Sequence, residues 1–220
     1  MAGCDCGSEL KFDGVSAGYK RILWLVIAIN ALMFLFETGA SVVSNSMALR
    51  ADALDFLGDS LTYGITLLAI GRSLHWRASA AIFKGVTLIC MGLWVLGSTL
   101  YRVFVLGLPN EVIMGSVALL AFTANMVSVL LLLKYRDGDA NVRSVWLCSR
   151  NDAIGNIAVM VAAGAVFMTQ SHWPDLLVAT LMSLLFLHSA RLIIHQARDE
   201  LNHHHETVND GACCSVGERD

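Results

Sequence analysis

Proline, charge and basic runs are all scarce in this chain. Only two of its 220 residues are proline and eighteen are glycine, too few for a loop-rich all-β protein. Charged residues make up 15%, against about 25% in ordinary soluble domains. The formal net charge is -3, and no long basic run points to nucleic acid. The six cysteines do not form a secreted disulfide framework: they fall as Cys4-x-Cys6, the adjacent Cys213-Cys214, and the lone Cys90 and Cys148. The terminal pairs, near basic loops, read as reduced cytoplasmic metal handles. Nor does the start resemble a cleaved signal peptide, since the first apolar run lacks a small-residue cleavage site and continues through Asn30 and Glu37. These absences exclude a soluble globular protein, a disordered chain and a disulfide scaffold.

Apolar residues are abundant. They account for 56% of the chain, with a mean hydropathy of +0.62, and they are gathered into long blocks. A membrane-spanning helix needs about 20 mostly apolar residues, so six would take about 120. The remainder suffices for short loops and two tails. Six helices are predicted, from Arg21 to Val43, Met47 to Ile70, Ala80 to Phe104, Val112 to Lys134, Ser144 to Met168 and Leu176 to Ile194. Turn or charge signals separate them at Ser44-Asn45-Ser46, Arg72 to Arg77, Gly107 to Asn110, Arg136 to Asp139 and Gln170 to Pro174. The expected organisation is an all-α membrane protein. Residues 1–19 form an N-terminal tail, 20–198 a six-helix transmembrane domain and 199–220 a His/Cys-rich C-terminal tail.

Basic residues alternate between loops. Lys11, Lys20 and Arg21 precede the first helix; Arg72 and Arg77 follow the second; Lys134, Arg136 and Arg143 follow the fourth; Arg191 and Arg198 close the sixth. The other loops carry almost none, apart from Arg50 and Arg102 at helix ends. The positive-inside rule then places both termini in the cytoplasm. Asn30 and Asn125 occupy similar places in the first and fourth helices, a weak echo of a three-helix duplication.

The polar residues inside these helices carry the chemistry. In the second helix Asp52, Asp55 and Asp59 share one face. Each costs about 2.5–3.5 kcal/mol to place mid-membrane, and such residues ordinarily face the bundle interior on an ion path or relay. Asp52, nearest the helix end, has the ordinary alternative of solvation at the interface. In the fifth helix Cys148 and Asp152 repeat the i, i+4 spacing of Asp55 and Asp59, and Asn156 extends that face by a turn. Two helices that each present two donors one turn apart define a four-ligand site, Asp55, Asp59, Cys148 and Asp152. Tetrahedral sulfur and oxygen donors suit zinc and softer ions. A lone apolar-face cysteine is more often core packing; the matching pair on the second helix favours the ligand reading. Asn30 and Glu37 on the first helix either steer a hydrated ion or bond neighbouring helices. Lys84 either snorkels to the interface or pairs with an acid such as Asp199. Cys4, Cys6, His203, His204, His205, Cys213 and Cys214 either capture metal at the cytoplasmic mouth or form a plain polar tail.

The run Ser46-Met47-Ala48-Leu49-Arg50-Ala51-Asp52-Ala53-Leu54-Asp55-Phe56-Leu57-Gly58-Asp59 resembles the second-helix signature of the cation diffusion facilitators. There a small-residue lead-in precedes a His or Asp, three residues and an Asp. The family's fifth-helix His-x-x-x-Asp is matched by Cys148-x-x-x-Asp152, and Asn30 and Glu37 fit its first helix. The resemblance covers about Arg21 to Asp199. It implies export of a divalent metal such as zinc, cadmium or cobalt in exchange for protons, by alternating access in a homodimer. The setting it implies is a multi-pass protein of the bacterial cytoplasmic (inner) membrane, with no bound cofactor. Two departures stand out. Cys148 replaces the usual His, which favours a softer ion, and the family's usual cytoplasmic domain is expected to be missing. Outside this family, the carboxylates could hold magnesium in a membrane-embedded phosphoryl-transfer enzyme, as in the CDP-alcohol phosphotransferases. Magnesium prefers oxygen ligands, which makes Cys148 an odd partner, and that family's Asp-Gly…Ala-Arg lead-in is absent. A non-transporting metal receptor is the third alternative.

Overall fold

The computed structural model describes residues 16–69, 74–104, 108–136 and 140–214, which are helical apart from short turns. The helices are α1 (Ala17–Ser44), α2 (Met47–Ala69), α3 (Leu74–Phe104), α4 (Glu111–Leu132), α5 (Ala140–Thr169) and α6 (Trp173–Cys214), with a single 3-10 turn over Leu133–Tyr135. Local chemistry sets several boundaries. The Ser16 side chain accepts from the Tyr19 amide at 3.2 Å and starts α1. Asn45 ends α1 in the left-handed conformation, φ 61°, which asparagine tolerates better than most residues. The Asn110 side chain caps α4 by accepting from the Ile113 amide at 3.0 Å.

Two helices run beyond their expected ends. α3 begins at Leu74 rather than Ala80, and α6 continues through Cys214 rather than stopping near Ile194. Apolarity marks where a helix leaves the hydrocarbon, not where it ends. The stretch after Ile194 contains no proline, so nothing in it breaks the helix. Residues 199–214 of the expected C-terminal tail are therefore helical in backbone.

Five helices contain segments long and apolar enough to cross a membrane: Ala17–Ser44, Ala81–Phe104, Glu111–Tyr135, Val145–Thr169 and Trp173–His195. They point apolar side chains outward, Leu32, Phe104 and Met168 among them. The sixth, α2, is too rich in charge for that class, and it occupies the middle. It packs against every other helix. Around it, α1 pairs with α2, α4 with α5, and α3 with α6. Apolar clusters close both ends of the bundle. At the α1–α2 end, Met47, Leu49, Val95, Met114 and Met182 pack together. At the α2–α3 end the cluster is Tyr19, Leu23, Val26, Tyr63, Leu132 and Val145. The polar residues of α2 lie in the layer between.

The first turn of α2 is capped from a distant helix. Asp175 of α6 accepts from Ser46 Oγ at 2.6 Å, the Met47 amide at 2.7 Å and the Ala48 amide at 3.0 Å. Ser46 Oγ in turn accepts from the Leu49 amide. Inside a bilayer these amides would have no water to turn to. The α3–α6 pair is close for a different reason: a β-carbon added at Gly92 would lie 3.1 Å from the Leu187 side chain and 3.2 Å from the Ser183 carbonyl. Small residues let the two backbones approach. Gly92→Leu is therefore expected to destabilise the protein by about 1–3 kcal/mol, seen as a lower melting temperature in detergent. Gly164→Leu, at a position with open space around its β-carbon, is the control and is expected to melt like the wild type.

Candidate metal centre

Helix α2 brings Asp52, Asp55 and Asp59 to the interior, and α5 brings Cys148, Asp152 and Asn156 to the same layer. Asp59 is buried, while Asp55, Asp152 and Cys148 keep some accessible surface. The Asp152 carboxyl is close enough to Asp55 and Asp59 for the three groups to act on one another, and its Oδ2 is buried without a hydrogen-bond partner. Carboxylates this close cannot all stay charged without a proton or a cation between them. Cys148 is close enough to act electrostatically on Asp152 and Asp59. Among the described residues no three His, Cys, Asp or Glu side chains are already drawn to one metal-sized point. The three aspartates and the cysteine are neighbours in one layer.

One residue that the sequence reading did not single out, Tyr63, and one that it did, Lys84, complete this layer. Tyr63, one turn beyond Asp59, is fully buried. Its hydroxyl donates to Asp59 Oδ2 and sits 3.1 Å from Ser149 Oγ, next to Cys148. A fully buried tyrosine ordinarily finds a polar partner, and its i, i+4 spacing from Asp59 was the available signal. Lys84 of α3 lies near enough to act on the charge of Asp55 and Asp59. Its other expected partner, Asp199, has a side chain outside the described residues.

A second carboxyl pair stands one turn away, towards the α1–α2 end. Glu37 is 0% and Asp52 2% exposed, so solvation of Asp52 at the interface does not apply. The two side chains meet, and no nitrogen or hydroxyl donor reaches either oxygen of Glu37. Asn156 is fully buried with both side-chain atoms unpartnered. Asn30 donates to the Val26 carbonyl at 2.8 Å, which leaves its own oxygen free. Buried polar atoms without partners are uncommon and call for a reason.

Arg150 turns away from the acids: its guanidinium lies 5.4 Å from the Trp146 ring centroid and donates to Asn151. Cys4 and Cys6 lie outside the described residues. His203, His204, His205, Cys213 and Cys214 lie on the backbone of α6, but their side chains are outside the described set.

A polar helix packed against five apolar ones, with acidic side chains of α2 and α5 gathered in its middle layer, is the build of a polytopic membrane protein. The cation efflux transmembrane domain model matches residues 23–201. The chain belongs to that family, the cation diffusion facilitators, whose members are secondary transporters and not enzymes. It is 24% identical over 182 residues to the metal cation efflux system protein CzcD of Cupriavidus metallidurans, covering 77% of this chain and 58% of that one. It is 28% identical over 199 residues to the zinc transporter ZitB of Yersinia pestis, covering 83% and 62%. A cadmium, cobalt and zinc/H(+)-K(+) antiporter of Bacillus velezensis is 22% identical over 200 residues, with the same coverage of 83% and 62%. The chain thus spans about three-fifths of the length of these relatives.

The Tyr63 contact is open to test. Tyr63→Phe removes the hydroxyl that donates to Asp59 and is expected to cost about 1–3 kcal/mol, the usual consequence of stripping a partner from a buried acceptor. Thermal melting of the purified variant measures it.

Proposed function

We propose that this chain exports a divalent transition-metal cation from the cytoplasm in exchange for protons, with Asp55, Asp59, Cys148 and Asp152 as the transported ion's four donors. The observation that carries the reading is the position of Asp152 on α5, within reach of both Asp55 and Asp59 on α2. Zinc, cadmium and cobalt are the proposed cargo. The names of the relatives support that set, and the thiol of Cys148 favours its softer members.

Thiolates and carboxylates bind a metal only when deprotonated, so metal and protons compete for the same atoms. A cation that enters from the cytoplasm would draw the four side chains away from each other and onto itself. Protons that arrive from the opposite side would restore carboxyl–carboxylate contacts like that of Asp152 with Asp55 and Asp59, and release the ion. Because both loads occupy one set of donors, the exchange is coupled without a second site. Glu37, Asp52, Asn30 and Asn156 are proposed to line the path towards the α1–α2 end. The proposed setting is a homodimer in the bacterial cytoplasmic membrane with both termini cytoplasmic. The Cys and His residues of the two tails are proposed to capture metal at the entrance.

Asp59→Asn and Asp152→Asn keep the shape of the side chains and remove the anionic donors. Each is expected to lower zinc flux into proteoliposomes by about tenfold or more, since even indirect partners of a metal ligand are worth 10–100-fold. Wild-type flux in either variant overturns the donor assignment. Cys148→His is expected to lower the ratio of cadmium to zinc transport, and an unchanged ratio removes Cys148 from the donor set.

A further inference from the structure

On the outside of the bundle, away from the carboxyl layer, α2 forms the floor of a cleft between α1 and α3. One cavity of about 630 Å³ is lined by apolar side chains of all three helices, with Phe34, Leu54, Leu57 and Met91 along its length and Arg50 and Trp94 at its head. A second cavity of about 620 Å³ adjoins it, sharing Arg50 and Trp94 and adding Ser98, Tyr101 and Arg102. The apolar cavity and the cationic one thus meet at a shared wall, and together they form a slot with a greasy body and a cationic head. From Arg50 to Leu57 it runs about 10 Å along α2, roughly two-thirds of the hydrocarbon depth of one leaflet.

The head holds two guanidinium groups and no acid among its lining residues. Arg102 donates to the Asn45 side chain, a neutral partner. Arg50 has a buried Nε without any partner. The nearby carboxylate, Asp175, accepts its hydrogen bonds from Ser46, Met47 and Ala48 and acts on both guanidinium groups through its charge alone, which leaves the head with one net positive charge. Two like charges beside one cavity at a helix end favour an anion, and guanidinium groups suit phosphate oxygens in particular. Trp94 and Tyr101 are more than half exposed, amphipathic rings of the kind found where acyl chains meet headgroups.

We propose that this α1–α2–α3 cleft binds an anionic glycerophospholipid, with its phosphate between Arg50 and Arg102 and an acyl chain laid along Leu54, Leu57, Phe34 and Met91. Charge favours this occupant over a second copy of the chain. A two-fold axis along the membrane normal would bring the same arginines to the same depth from both sides, positive against positive.

Native mass spectrometry of the full chain in detergent, titrated with phosphatidylglycerol and with phosphatidylcholine of matched acyl chains, tests it. The wild type is expected to retain phosphatidylglycerol in preference, by at least about fivefold. Arg102→Gln and Arg50→Gln are each expected to reduce the retention of phosphatidylglycerol to that of phosphatidylcholine. Cys90→Trp, which fills the apolar body of the slot, is expected to reduce both. Should Arg50→Gln fail to fold, Arg102→Gln and Cys90→Trp decide the matter between them. Equal retention of the two lipids by the wild type overturns the proposal, as does a full phosphatidylglycerol preference in a folded Arg102→Gln variant. Efficient cross-linking of two copies through Cys90 in membranes overturns it as well, by seating a second chain in the cleft.

Discussion

A helix that carries Asp52, Asp55 and Asp59 cannot face hydrocarbon, and much of this architecture follows from that one prohibition. The cost of an acidic side chain in lipid is met by turning the acid-bearing face of α2 into the bundle, and α2 accordingly touches all five other helices. The other helices then need apolar outer faces, which α1, α3, α4, α5 and α6 supply. Along the axis of the bundle the carboxyl layer lies between two apolar clusters, one towards each end. What remains polar in the middle is held by its own members: Asp152 with Asp55 and Asp59, Tyr63 with Asp59, Glu37 with Asp52.

This internal layer has a chemical meaning for the proposed exchange. Buried carboxyl oxygens without partners, those of Glu37 and one each of Asp52 and Asp152, are satisfied by a proton or by a cation. The two loads use the same atoms. The helices that carry them belong to different pairings, α2 with α1 and α5 with α4, while α3 and α6 form a third close pair. At the α1–α2 end, Asp175 and Arg102 tie that third pair to α2 and to the α1–α2 turn. These ties bridge the bodies that would have to shift for access to alternate.

The all-helical architecture was legible because hydrophobic blocks of spanning length are written in one dimension, and the start of α2 at Met47 follows from the turn signal just before it. Helix ends were legible only where a turn residue marks them. The early start of α3 and the long continuation of α6 lie in polar sequence, where the apolarity that defines a span is no guide. The i, i+4 spacing of Asp55 with Asp59 and of Cys148 with Asp152 pointed to two facing pairs, and α2 and α5 do bring these residues into one layer. Side-chain orientation within that layer, including the turn of Asp152 towards both aspartates, is a property of three-dimensional packing and has no local signature. Asp175 carries no such signal, because a lone acid at the start of an apolar helix looks like an ordinary first-turn residue. Its partners are more than 120 positions away.

That separation bears on how the protein is made. The amides at the start of α2 emerge from the ribosome early, whereas the carboxylate that serves them belongs to the last helix. Until α6 is synthesised, the Met47 and Ala48 amides lack the carboxylate that accepts from them in the folded protein. The cap on the first turn of α2 is therefore completed only once α6 has been made and has joined the bundle.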